Sequence, residues 1–278
     1  MGARMATRLA GAGQLVGVWN RTVRRATELA PTLGVEVAAS PADLAGGCDL
    51  LLTCVSRDPD LAEVIEAAGP GLAPGAVVVD TSTVGAGTAR SLAAALAARG
   101  VAFLDAPVSG GVEGAASGTL VMMVGGDAGA LERVRPALAT LAARVVHMGP
   151  SGSGQATKAV NQVMAAGINQ AVTEALAFGE AMGLPMAQVV EVISGGASGN
   201  WFLAHRGARM LRGEYPPGFK VALHRKDLEI CRAMAEAAGG PALPLVARTI
   251  EDYVRLMDEG FGEEDISALY RLKRPRSP

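Results

Sequence analysis

The sequence predicts an α/β fold, a doubly wound parallel sheet followed by an all-helical domain. Three observations carry this. From Leu15 to Met148, short apolar runs alternate with helix-like segments, the pattern of strands joined by crossover helices. Beyond Gly149 the runs cease, and a long proline-free stretch from about Ser151 to Met182, rich in alanine, methionine and leucine, leads into helix-rich sequence. Between them, DAPVSGGVEGAASGTL, Asp105 to Leu120, crowds glycines and a serine directly behind the short apolar strand Val101 to Leu104. The boundary is expected at Gly149, with residues 1–149 forming the sheet domain and 150–278 a helical domain that begins with one long interdomain helix.

The elements follow in order. Met1-Gly2 runs straight into an amphipathic helix with Met5, Leu9 and Ala6 on one face, then Gly11, Gly13 and the strand LVGVW, Leu15 to Trp19. EVA, DLLLTCV, AVVVD, VAFLD, TLVMMVG and VVHMG supply the later strands. Ala86 to Arg99 ends at Gly100, as a helix C-cap should. Pro185, Pro216, Pro217, Pro241 and Pro244 punctuate the helical domain, and no repeat of fixed period is present. A doubly wound fold normally opens with a strand, a glycine turn and a helix whose N-terminus receives a pyrophosphate. The expectation is that this chain starts inside that element, with the first strand missing and only Gly2 of a GxGxxG turn present. That strand is central, and its loss leaves two neighbouring strands without a partner.

Composition narrows the classes of function. Half the residues are apolar, enough for a sizeable core over 278 residues. The net charge is −2 and the basic residues are scattered, apart from a short tail RLKRPR at Arg271 to Arg276. Nucleic acid is a poor partner on that charge, and small metabolites are expected instead. Cys48, Cys54 and Cys231 are odd in number, widely spaced and set in apolar sequence, which reads as buried thiols in a reducing compartment, with neither a disulfide framework nor a metal site. Arg4 and Arg8 interrupt the N-terminus, and no apolar run reaches membrane-spanning length. The expectation is a cytoplasmic protein without a membrane partner.

Several positions carry chemistry. Asn20-Arg21-Thr22 follows the first strand, where a dinucleotide fold meets the adenosine ribose; an arginine there suits a 2′-phosphate, favouring NADP(H) with NAD(H) still possible. The alternative is a solvated arginine beside a helix N-cap threonine. Cys54-Val55-Ser56 and Thr81-Ser82-Thr83 bring small polar groups to the carboxyl edge of the sheet, where ligands bind, or form capping turns. In GPSGSGQATKAVNQ, Gly149, Gly152 and Gly154 permit close backbone approach, and Lys158 and Asn161 share a helix face. A solvated surface lysine is the alternative, but the apolar neighbours Ala156, Ala159, Val160 and Val163 argue that the helix is mostly buried. Burial beside a cationic nicotinamide lowers an amine's pKa, which suits a general base. Lys226-Asp227 reads by default as an exposed ion pair.

Taken together these blocks resemble the β-hydroxyacid dehydrogenase family, which includes 3-hydroxyisobutyrate dehydrogenase and the tartronate, glyoxylate and succinic semialdehyde reductases. The resemblance spans essentially the whole chain. It implies a Rossmann-type first domain, and an NADP(H)-dependent enzyme without a metal, interconverting a short β-hydroxy acid and its semialdehyde. DAPVSGG resembles the substrate-binding signature, implying that Ser109, Gly110 and Gly111 hold the substrate carboxylate. GSGQATKAVN resembles the catalytic signature, implying Lys158 as general acid/base and Asn161 as the residue that orients the substrate. FKVALHRKDL resembles a later block, which implies Lys226 near the cofactor with Asp227 in support. The resemblance also places Gly2, Asn20, Arg21, Thr22, Val55, Ser56 and Thr83 along the cofactor. A homodimer or homotetramer is implied, with pairing through the helical domain. Met1 coincides with the methionine of the family's glycine turn. The expectation is either a start codon assigned about ten residues late or a real truncation that impairs cofactor binding. Two other outcomes remain open: an imine reductase-like enzyme, which Lys158 opposes, and a noncatalytic cofactor-binding or scaffold protein. The substrate depends on helical-domain side chains, with Trp201, Phe202 and Phe219 as candidates for pocket or core. The broad plan of 6-phosphogluconate dehydrogenase is shared, without its longer helical domain.

Overall fold

Alternation along one strand sets the layering of the first half of the molecule. In the computed structural model, which describes residues 1–274, all four residues of Val77–Asp80 are buried. Val77 and Val79 enter one apolar cluster while Val78 enters another, as successive side chains of a strand must. Each buried valine or leucine contributes about 1.5–3 kcal/mol, so a strand covered on both faces holds helices on both sides. Pro275 and Arg276 of the basic tail lie outside the described residues.

The chain divides into two units, Met1–Lys158 and Ala159–Pro278. The first holds strands β1 (Gly17–Val18), β2 (Glu36–Val37), β3 (Leu50–Thr53), β4 (Val77–Asp80), β5 (Ala102–Asp105), β6 (Val108–Ser109), β7 (Leu120–Gly125) and β8 (Ala142–Gly149). Its helices are α1 (Gly2–Gly11), α2 (Val23–Leu33), α3 (Pro41–Gly46), α4 (Asp58–Ala68), α5 (Ala86–Ala97), α6 (Gly111–Ser117) and α7 (Ala128–Leu141). Met5 and Leu9 of α1 and Leu131 and Leu138 of α7 cover one face of β4; Leu61 and Ile65 of α4 and Leu96 of α5 cover the other.

The sheet falls into two pieces. β1 and β2 pair in parallel by themselves, while the larger sheet runs in the order β3-β4-β5-β7-β6, with β8 on β7. Among the described residues β3 therefore pairs on one side only, and so does β1. Strands β3, β4 and β5 are parallel, as expected, but β7 is antiparallel to β5 and β6 and parallel to β8. The sheet is thus mixed, because the glycine-dense segment turns back through β6 and α6 rather than crossing over as one helix.

The division between the units falls inside α8 (Ser153–Ala181), just after Lys158. The second unit continues with α9 (Met186–Ser194), α10 (Trp201–Leu211), α11 (Val221–Ala237), α12 (Pro244–Asp258) and α13 (Tyr270–Lys273). Its core gathers Leu176, Met210, Leu228, Tyr253, Leu256 and Tyr270. Polar groups thread through it: Asn169 donates to the Tyr253 hydroxyl at 3.0 Å and to the Ile266 carbonyl at 2.8 Å. Burial pushes the Tyr253 phenol far above its ordinary pKa. Among the described residues no helix is long and apolar enough to cross a membrane.

Candidate active site

The carboxyl ends of β3 and β4 meet in a buried polar knot. Asp80 Oδ1 accepts from Thr53 Oγ1 at 2.8 Å, Ser82 Oγ at 2.6 Å and Ser82 N at 3.2 Å. Thr81 Oγ1 donates to the Thr53 carbonyl at 2.7 Å, and Val55 N donates to Ser82 Oγ at 2.8 Å. These hydroxyls tie strand to strand. The N-caps of α4 and α5 are Arg57 and Gly85, and neither makes a side-chain cap bond. The Val55 N–H is engaged within the knot, Ser56 is exposed and Thr83 is half-buried. Asp80 is fully buried, its Oδ2 has no hydrogen-bond partner, and desolvation raises its pKa to about 6 against the pull of the Ser82 and Thr53 bonds.

Between the two sheet pieces lies a cavity of about 220 Å³ lined by Trp19, Asn20, Arg21, Thr22, Arg25, Leu52, Cys54, Val55, Ser56, Asp60 and others. Asn20 Oδ1 accepts from Thr22 N at 2.9 Å, an Asx turn that opens α2. Thr22 is the N-cap of α2, as the alternative has it, though its side chain makes no cap bond. Nor is Arg21 simply solvated: its Nη1 lies 2.8 Å from Asp60 Oδ1 and 3.4 Å from Glu63 Oε2, and these acids hold its pKa above the ordinary value. Gly2 starts α1 against the end of β3, where an added Cβ would lie 3.4 Å from the Cys54 Cβ. Two guanidiniums, an amide and hydroxyls stand there with the Asp60 carboxylate beside the apolar Trp19 and Val64, a polar and apolar mix that fits the adenosine end of a dinucleotide.

The start of α8 is locked onto β5. Asp105 accepts from Gly152 N at 2.7 Å and Gln155 N at 2.9 Å, a buried carboxylate serving the orphan amides of a helix N-terminus. Burial raises its pKa and these amides pull it back. The fit leaves no room for side chains: a Cβ on Gly154 would lie 2.3 Å from the Asp105 carbonyl and 2.4 Å from that of Met123. Gln155 donates to the Ser82 carbonyl at 2.9 Å and accepts from Val84 N at 3.2 Å, tying the helix to the loop that holds Thr83.

One turn further, Lys158 is only 8% exposed, and its Nζ donates to the Val108 carbonyl at 2.9 Å. The solvated alternative is thereby excluded. The bond joins the lysine to the residue preceding Ser109, which is half-buried, while Gly110 and Gly111 are exposed with φ of 120° and 62°, conformations that favour glycine. Lys158 and the glycine loop thus meet within one unit. The helix is less buried than its apolar residues suggest, since Ala156 and Val160 face solvent, Val160 at 68% exposure.

In the second unit Asn161 is exposed, and its Nδ2 donates to Gln162 Oε1 at 2.8 Å. Gln162 in turn donates to Asp227 Oδ2 at 2.6 Å, and Asp227 Oδ1 pairs with Lys226 Nζ at 2.8 Å. Asp227 is buried, so the exposed-pair reading of Lys226-Asp227 is corrected. Of the aromatic candidates, Phe202 belongs to the core, Phe219 packs against it, and Trp201 is exposed and stacked on His205. Of the thiols only Cys231 is buried; Cys48 and Cys54 are half-buried.

Sequence reasoning missed Asp105, Gln155 and Gln162 as organisers. A signal existed: Gln155, Gln162 and Asn169 recur every seven residues along α8 and are all buried, a spacing that puts them on one face of the helix.

Comparison with known proteins bears on this arrangement. Residues 1–149 match the family model for the NAD binding domain of 6-phosphogluconate dehydrogenase, and residues 152–273 match that for the NAD-binding region of NADP-dependent 3-hydroxyisobutyrate dehydrogenase. An uncharacterised oxidoreductase of Shewanella frigidimarina is 39% identical over 100% of this chain and 96% of its own. An NAD-dependent L-serine dehydrogenase of Pseudomonas aeruginosa is 35% identical over 99% of this chain and 95% of its own. Among solved structures, a Mycobacterium tuberculosis 3-hydroxyisobutyrate dehydrogenase with L-serine superposes with a TM-score of 0.90 at 31% identity, covering 99% of this chain and 96% of that one.

Proposed function

The chain belongs to the β-hydroxyacid dehydrogenase family, and from that premise we propose that it is an NADP(H)-preferring oxidoreductase interconverting a short β-hydroxy acid and its semialdehyde. It is an oxidoreductase of the hydroxyacid dehydrogenase type with a nicotinamide cofactor. The coenzyme preference, the substrate and the residue roles are our reading. The observation that carries it is the buried Lys158, with Nζ 2.9 Å from the Val108 carbonyl, directly beside Ser109-Gly110-Gly111.

A bound nicotinamide cofactor supplies or accepts the hydride. The protein supplies the rest. Residues 1–149 hold the dinucleotide, with Arg21 and Thr22 toward the adenosine 2′-phosphate, Gly2 toward the pyrophosphate, Val55, Ser56 and Thr83 along its length, and Lys226 from the helical domain. The backbone of Ser109, Gly110 and Gly111 receives the substrate carboxylate, where glycine conformations open N–H groups to an anion. Lys158 gives a proton to the alkoxide that develops on reduction and takes it back on oxidation. Asn161 fixes the same oxygen. Residues 150–278 provide the surface through which copies pair. The Pseudomonas relative's activity and the serine in the mycobacterial complex favour a three-carbon β-hydroxy acid. Lys158 argues against imine reduction.

The test is steady-state turnover on 3-hydroxyisobutyrate and L-serine with NADP+ and NAD+, alongside cofactor titration. Lys158→Ala is expected to lower kcat by ~10²- to 10⁴-fold while the dissociation constant for NADPH stays the same. Equal losses in both would make the lysine structural and overturn its assignment.

A further inference from the structure

The mouth of the adenosine pocket carries acids as well as bases. Arg21 and Arg25 line the cavity with Asp60, and Glu63 reaches the Arg21 guanidinium from one turn along α4. Arg21 is 65% exposed, whereas Asp60 is 22% exposed at 2.8 Å, close enough and dry enough to be screened less than a surface acid. Two cations and two anions make this rim electrically neutral, a poor field for a 2′-phosphate that carries nearly two negative charges at pH 7. A ribose 2′-hydroxyl brings no charge, so a rim of balanced charge neither attracts nor repels it.

Resting on the cofactor reading above, we propose that Asp60, seconded by Glu63, sets coenzyme choice by opposing Arg21, so that the enzyme accepts NADH alongside NADPH. Arg21 alone would select the phosphorylated cofactor. Asp60 competes with the 2′-phosphate for that guanidinium and repels the phosphate directly. These effects act in the same direction, and neither touches NADH. Holding Arg21 in place is a lesser benefit, because the arginine must leave or share its carboxylate before it serves a dianion.

The experiment is fluorescence titration of the whole chain with NADPH and, separately, NADH, for wild type, Asp60→Asn, Glu63→Gln, Arg21→Ala and Arg21→Ala/Asp60→Asn, with thermal melts to verify folding. Asp60→Asn keeps the side-chain shape. It should tighten NADPH roughly tenfold and leave NADH within about twofold, the size expected for one charge removed several ångströms from another at a partly screened site. Glu63→Gln, exposed and farther from Arg21, should shift NADPH by about two- to threefold. In the Arg21→Ala background the benefit of Asp60→Asn should shrink, since part of it runs through the guanidinium. If Arg21→Ala weakens NADPH but Asp60→Asn leaves both cofactors unchanged, or shifts both equally, the proposal is overturned and the cofactor reading stands. If Arg21→Ala has no effect, or the wild type binds no NADPH, both are overturned.

Discussion

The start of α8 and the mouth of the pocket that Arg21 lines are in the same unit and are built on opposite principles. At α8, Asp105 is buried, bonded to two helix amides, and packed against glycines that no other residue could replace. At the pocket, the exposed Arg21 reaches the half-buried Asp60 and the exposed Glu63, in ion pairs open on one side to solvent. At the start of α8, beside the buried Lys158, geometry is over-determined. At the Arg21 pocket, charges stand at a solvent-open rim and can be exchanged at little cost to the fold.

This contrast can be broken at its rigid end first. Gly154→Ala forces a Cβ against two backbone carbonyls, neither of which can swing aside, and is expected to cost about 4 kcal/mol or more, read as a lowered urea midpoint or loss of a cooperative transition. Asp105→Ala should follow at about 3 kcal/mol, since it strands buried amides of Gly152 and Gln155 as well as removing a carboxylate. An effect below 1 kcal/mol in either variant would show the junction to be looser than its distances imply.

Asp80 sharpens the comparison through pH. Its carboxyl titrates near 3.8 when unfolded and about 6 when folded, so the fold binds the proton more tightly. Its contribution to stability is therefore fully present below about pH 4, is lost as pH rises through about 6, and is constant above. The loss amounts to about 3 kcal/mol. Asp80→Asn keeps the shape and has no proton to lose, so its stability relative to wild type should rise by that amount between pH 4 and pH 7. Parallel pH profiles for the two proteins would mean that Asp80 is solvated well enough to ionise freely. At the flexible end the effect is smallest. Arg21→Ala should change unfolding free energy by less than about 0.5 kcal/mol, and a larger loss would place the pocket mouth among the structural elements.

Much of the architecture was legible in the residues. The runs DLLLTCV, AVVVD and VAFLD became β3, β4 and β5, because strands buried on both faces must be apolar at every position. The long proline-free stretch became α8. The glycine-dense segment was harder to read: β6 and α6 lie within it, where glycine lowers every local propensity and tertiary pairing with β7 decides. Lys158 stood out by type and by its apolar neighbours, and its burial follows from the glycines that let α8 approach β5.

What the sequence determined by itself was the order of elements, the division into a sheet-bearing and a helical part, and the motif residues, because periodicity, glycine placement and residue type are local properties of a chain. Only the tertiary structure decided which charges meet. Asp105 with Gly152, Arg21 with Asp60, and Gln162 with Asp227 are each separated by dozens of residues, and no local pattern specifies such pairs. Their distances come from packing, and electrostatic interaction depends on those distances and on exclusion of water, so the chemistry of both ends became readable only once the chain was folded.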